Sequence, residues 1–152
     1  MAWPYEATPA PNEMKHPSPG HDPTVPSHDR RLLMIVSLLT ILLMSLHIAD
    51  DIVRGISPAA SHNVGAVVIF LVWLIGTLLL ADRRLGYALQ LLGGIFAAAM
   101  PILHFTGARY PAVAASSWGF FFVWSLIAVG TTGAFAAILS ARALWLTVKP
   151  RA

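Results

Sequence analysis

Between positions 45 and 55 the chain reads SLHIADDIVRG, which places His47, Asp50, Asp51 and Arg54 within eight residues. Imidazole and carboxylate are the donors that suit Zn, Mn, Fe or Cu(II), and a histidine beside an aspartate also titrates near neutrality, where it can sense or relay protons. On a helix His47 and Asp51 stand four residues apart and share a face. A ligand on an opposing helix would complete the set, and His104 is the candidate. The sharpest reading is therefore a divalent-metal or proton site built from His47, Asp51 and His104, with His62 or Asp50 as a further ligand.

Two other chemistries fit the same residues. His47 and His104, facing each other from two helices, could be the axial ligands of a haem b, with Arg54 and Arg109 near its propionates. Asp50 and Asp51 would repel those propionates. The plainest account is a helix that satisfies itself: Asp50 and Arg54 are also four apart, with the acid N-terminal, which is the favourable order. Catalytic motifs are lacking. There is no GxSxG, HExxH or phosphate loop, and Ser45, two residues before His47, lies on a different face. A paired-carboxylate acid/base site is also disfavoured, because contiguous aspartates point apart.

These residues belong to a chain whose solvent is lipid. Of 152 residues 57% are hydrophobic and 11% charged, too few charges to cover a water-soluble globule. The formal net charge is +3, but the Lys and Arg cluster at the ends of apolar runs, where they set orientation, so nucleic acid is not an expected partner. The absence of cysteine removes disulfides, Cys-ligated zinc and Fe–S clusters.

The expected fold is an all-α membrane protein, a four-transmembrane-helix bundle with a disordered N-terminal tail. Residues 1–30 hold seven prolines and bury too little to order themselves. His16, His21 and His28 give this tail a faint metal-collecting character, but a solvated linker is the simpler reading. Spans are expected at about 32–50, 64–81, 85–106 and 118–146 within a domain over 31–147, followed by a short tail, 148–152. Each run has at least 18 residues, enough for a hydrocarbon core about 30 Å thick. Lys15, Arg30, Arg31, Arg83, Arg84, Arg142, Lys149 and Arg151 fall on one side, and Arg54 and Arg109 on the other. Both termini are therefore expected in the cytoplasm, and the Ala-rich, Arg-over-Lys composition suggests the inner membrane of a bacterium. Trp118 and Trp145 stand where interface anchors belong.

At alternating steps of three and four, the first span presents Ser37, Thr40, Met44, His47, Asp51 and Arg54, and the third Tyr87, Gln90, Gly94, Ala97, Pro101 and His104. Polar groups without partners cost several kcal/mol in hydrocarbon, so both stripes should face protein. Counted up from Arg31 and Arg84, His47 lies about 24 Å in, and Asp51 and His104 about 30 Å. They share a layer, with Ser37 and Thr40 level with Gln90 below. Small residues around Gly94, Gly133 and Ala137 permit close helix packing within the bundle.

On composition alone, an accessory or structural membrane protein ranks first. Its lipid-facing surface and the run Phe120, Phe121, Phe122, Val123, Trp124 would suit packing in the bilayer against a larger membrane complex, or against further copies of the chain.

Overall fold

The computed structural model describes residues 25–55 and 60–148, with positions 60–63 described by backbone only. These residues are helical, with no strand among them: α1 (Ser27–Val53), α2 (Ala60–Leu78), α3 (Arg84–Phe105), α4 (Tyr110–Ala114) and α5 (Gly119–Val148). Three of these, α1, α3 and α5, are long and apolar enough to cross a membrane; α2 contributes a shorter apolar stretch, Val64–Leu78.

Helix boundaries depart from the sequence expectation for local reasons. α1 begins at Ser27, inside the stretch expected to be tail, because its first turn is held from two sides: Asp29 lies 3.2 Å from Arg142 of α5, and Arg30 2.6 Å from Asp82 of the α2–α3 turn. The remainder of the expected tail, residues 1–24, lies outside the described residues. α2 stops at Leu78, short of residue 81, where the chain curls so that the Leu80 carbonyl sits over Gly86. A Cβ there would lie 1.8 Å from that oxygen. The tight α2–α3 hairpin therefore depends on Gly86 having no side chain. α4, a single short helix opened by Pro111, was not foreseen in the link GARYPAVAASS.

The molecule has the inverted polarity of a membrane bundle. Large apolar side chains such as Ile35, Leu42, Leu92, Ile102, Phe120 and Ile138 face outward, while Ser37, Thr40, His47, Thr77, Gln90 and Ser140 are completely or almost completely buried. Lipid does not drive helices together by the hydrophobic effect, so association rests on close packing and interhelical hydrogen bonds. α5 packs most extensively against α3 and then against α1, whereas α1 and α3 touch each other over much less. Close approach is possible because small residues meet: a Cβ on Gly94 would lie 2.7 Å from the Ala137 nitrogen, and one on Gly133 2.6 Å from the Ala97 Cβ. Higher up, the Pro101 ring packs on Gly130, where a Cβ would lie 2.4 Å from the Pro101 Cγ. This seats the last turn of α3 against α5, and that turn carries His104.

The buried faces of α1 and α3 are the expected stripes, including Ser37, Thr40, Met44, His47 and Asp51 on one and Tyr87, Gln90, Gly94 and Ala97 on the other. Trp118 and Trp145 are exposed, as interface anchors would be, while Trp73 is buried and its ring fills the space left by Gly93.

Candidate metal centre

Three elements build the site. α1 supplies His47 and Asp51 one turn apart, α3 supplies His104 from its final turn, and α5 supplies the floor. The His104 Nε2 lies 3.2 Å from the Asp51 Oδ2, and the His47 Nε2 4.0 Å from the same oxygen. One donor atom from each of the three residues lies within 4.8 Å of the others. The imidazoles meet edge to face with centroids 5.0 Å apart, and Phe122 covers both at 5.3 and 5.8 Å. His47 is completely buried and Asp51 is buried.

The hydrogen bonds determine which ring nitrogens carry protons. His104 Nδ1 sits 3.0 Å from the Met100 carbonyl, which can only accept, so Nδ1 holds a hydrogen and donates it. His47 Nδ1 sits 3.0 Å from the Ser125 hydroxyl oxygen. That hydroxyl has one hydrogen, and it is directed to the Phe122 carbonyl at 2.9 Å. Both bonds form only if His47 Nδ1 is the donor and Ser125 Oγ the acceptor. In each neutral ring Nε2 is then a bare lone pair.

With both rings neutral, three acceptors face one another in a largely buried space. His47 Nε2 and Asp51 Oδ1 have no hydrogen-bond partner, and His104 Nε2 confronts a carboxylate oxygen. Leaving such atoms buried and unpaired costs about 1–3 kcal/mol each, and more for a charge. One proton between His104 and Asp51 would relieve that contact but leave His47 Nε2 and Asp51 Oδ1 as they are. A cation at the centre serves all three ligands. Metal-binding histidines generally donate their other ring N–H to a carbonyl, carboxylate or similar acceptor, which holds tautomer and ring orientation; Met100 and Ser125 do this here.

The remaining sequence candidates separate. Asp50 is not among the three residues whose donor atoms converge and is held by Arg54 at 2.6 Å, so it is spoken for as half of an ion pair; that part of the self-satisfying helix reading holds. The side chain of His62 lies outside those described, as do His16 and His21, while His28 is exposed at the far end of α1, 3.7 Å from Asp29. A haem b between His47 and His104 does not fit, because rings in edge contact leave no slot for a flat macrocycle. Phe122 is also corrected. It belongs to the site, 2% exposed, and not to the outward aromatic surface formed by its neighbours Phe120, Phe121 and Trp124.

Ser125 was missed entirely. The signal was present on α5, where Ser125, Val129, Gly133, Ala136, Ser140, Ala143 and Thr147 recur at steps of three and four and are buried. This stripe has no ionisable member, so nothing in residue type singles it out as part of a site.

Around the site the chain is tied together at its exposed rim. Gly55 follows the end of α1 with φ +66°, a left-handed cap that glycine adopts without strain, and its carbonyl accepts from Arg109 Nη1 at 3.2 Å. Phe105 and Tyr110 stack edge to face at 5.0 Å. Between these elements lies a cavity of about 320 Å³ bordered by His104, Phe122, Arg109 and Tyr110 among others. Comparison with protein-family models, with curated proteins and with solved structures returned no match to this chain.

Proposed function

We propose that this is a polytopic membrane protein that binds one divalent first-row transition metal through His47 Nε2, His104 Nε2 and Asp51. The observation that carries the reading is the meeting of lone pairs: both imidazoles are locked by their Nδ1 partners with Nε2 pointing at a carboxylate. Ligation at about 2.0–2.1 Å places tetrahedral donors roughly 3.4 Å apart. The two imidazole–carboxylate separations, 3.2 and 4.0 Å, bracket that spacing, and all three donor atoms lie within 4.8 Å of one another, so closure needs side-chain rotations and no rearrangement of the helices. Two imidazoles and one carboxylate are the donors of open zinc sites and of the facial triad that binds Fe(II).

The topology proposed with this reading has α2 as a fourth crossing, both termini in the cytoplasm of a bacterium, and the metal at the outer boundary of its inner membrane. The distribution of Lys and Arg supports it. Association with a larger membrane complex or with further copies is compatible with metal binding and is proposed only as a setting for it.

The test is elemental analysis of protein purified in mild detergent, alongside His47→Ala and His104→Ala. Near-stoichiometric Zn or Fe in the parent, lost in both variants that still elute as folded protein, is the expected result. A metal-free parent that also fails to take up Zn(II), Fe(II) or Co(II) on titration refutes the proposal. Proton binding at the His104–Asp51 pair would then be the surviving account.

A further inference from the structure

The three protein ligands do not neutralise a divalent ion. Two neutral imidazoles and one carboxylate leave a formal charge of about +1 on the centre, in a setting where uncompensated charge is costly. The nearest additional carboxylate, Asp50, is already engaged by Arg54 at 2.6 Å. A fourth ligand that is itself an anion would restore neutrality.

The structure provides a place for one. The cavity of about 320 Å³ has His104 in its wall, together with Phe122, which covers both imidazoles. Arg109 lines the same cavity. One of its N–H groups is directed to the Gly55 carbonyl, and the guanidinium offers five in all. The rest of the wall is largely apolar, with Leu103, Ala108 and Val113 among its members. Of the three ligands His104 alone lines the cavity; that ligand at one wall, a guanidinium at another and apolar surface between them describe a receptor for an anionic head on a short apolar body.

Resting on the metal reading above, we infer that the cavity under α4 admits a monocarboxylate, free or as the head of a membrane fatty acid, whose carboxylate becomes the fourth ligand of the metal and pairs with Arg109. Binding would exchange a water on the metal for the carboxylate: one metal–oxygen bond breaks as the water leaves and one forms, with no oxidation or group transfer.

The experiment uses the full chain loaded with Co(II), whose visible absorption reports coordination. Hexanoate is titrated into protein in detergent, and oleate is introduced in lipid nanodiscs; acetate and hexanol are the controls. Hexanoate should alter the spectrum saturably and bind at least tenfold more tightly than acetate, because its methylenes enter the apolar wall, while hexanol should have no effect. Arg109→Gln should weaken hexanoate about tenfold, the loss of one charge-assisted contact, without changing the Co(II) stoichiometry. Val113→Trp, which fills the cavity, should abolish the response with the metal still bound. A response confined to oleate assigns the carboxylate to the membrane, and one confined to hexanoate assigns it to solution. Co(II) bound at one equivalent with a spectrum indifferent to both acids overturns this inference and leaves the metal site standing. Failure to bind Co(II) overturns both.

Discussion

Two polar clusters bridge α1 and α3, about three turns apart on α1 and about four on α3, and they differ in the sign of their hydrogen bonding. In the layer nearer the start of α1, the Ser37 hydroxyl donates to the Gln90 carbonyl oxygen at 3.0 Å, and the Thr40, Thr77 and Ser140 hydroxyls donate to carbonyls of their own helices at 2.7–2.9 Å. Donor meets acceptor, so the layer is closed and gives a stable interhelical contact in a medium that offers no other partners. In the layer of His47, Asp51 and His104, acceptor meets acceptor whenever both rings are neutral. Ser37, Gln90, His47 and Asp51 are buried and His104 is partly so, and both clusters lie on the stripes that the 3.6-residue period turns inward. The difference teaches that a buried polar group in a membrane helix points to a ligand only when its partners leave it electrostatically incomplete.

The largest effect that could break this comparison comes from Asp51→Asn. The amide is nearly the same shape but brings two donors, and its NH2 group can donate to His104 Nε2. Metal affinity should fall by roughly a thousandfold or more, beyond the 10–100-fold typical of outer-shell losses. Thermal stability of the metal-free protein should be unchanged or higher, because a repulsive contact has become a hydrogen bond. A dye-competition titration and a melting curve in chelator measure the two. A variant that melts much earlier while still holding metal would mean that Asp51 is half of a structural ion pair.

Acidification is the next largest lever. Metal-bound imidazoles are unprotonated, so lowering the pH favours the protonated, metal-free form, and affinity should drop by roughly tenfold per pH unit for each proton displaced. Asp51 is the carboxylate facing both rings; α5 presents only Ser125 and Phe122 to them, neither of which titrates in this range. The Ser37–Gln90 layer has no titratable group. The stability cost of altering it should therefore be the same at about pH 8 and about pH 5.5. Zn(II) titrations and unfolding at the two pH values make the contrast.

One substitution type applied to both layers sharpens it further. Ser125→Ala removes the acceptor that orients His47 and should cost 10–100-fold in metal affinity. Ser37→Ala strands the Gln90 oxygen and should cost about 1–3 kcal/mol of stability, with metal affinity unaltered. If both variants changed the same observable, the two layers would not be distinct in kind. The smallest effect is expected at Asp50→Asn, which should change Zn(II) affinity by no more than about threefold. Its charge is already offset by Arg54 at 2.6 Å.

Much of this arrangement was legible in the chain. Composition ruled out a water-soluble globule, and the period of three and four brought Ser37, Thr40, His47 and Asp51 onto one face and Gln90 and His104 onto another. Helical rise put His47, Asp51 and His104 in one layer, and the structure places them there. The positions of α1, α3 and α5 agree within a few residues. Such properties are local: they depend on residue type and repeat, and a helix in lipid has to close its backbone hydrogen bonds within itself.

Tertiary structure decided the rest. No count along the sequence says that α5 lies between the stripes of α1 and α3, that Ser125 uses its single hydrogen on Phe122 and so makes His47 Nδ1 a donor, or that Phe122 turns inward while Phe120 and Phe121 turn out. Nor could spacing separate Asp50 from Asp51, adjacent in the chain and of one chemistry, until Arg54 was seen to hold the first and two imidazoles to flank the second. Protonation and charge balance belong to atoms brought together from distant segments. Periodicity therefore determined which residues would be buried, and only their contacts across helices decided which of them would be left needing a cation.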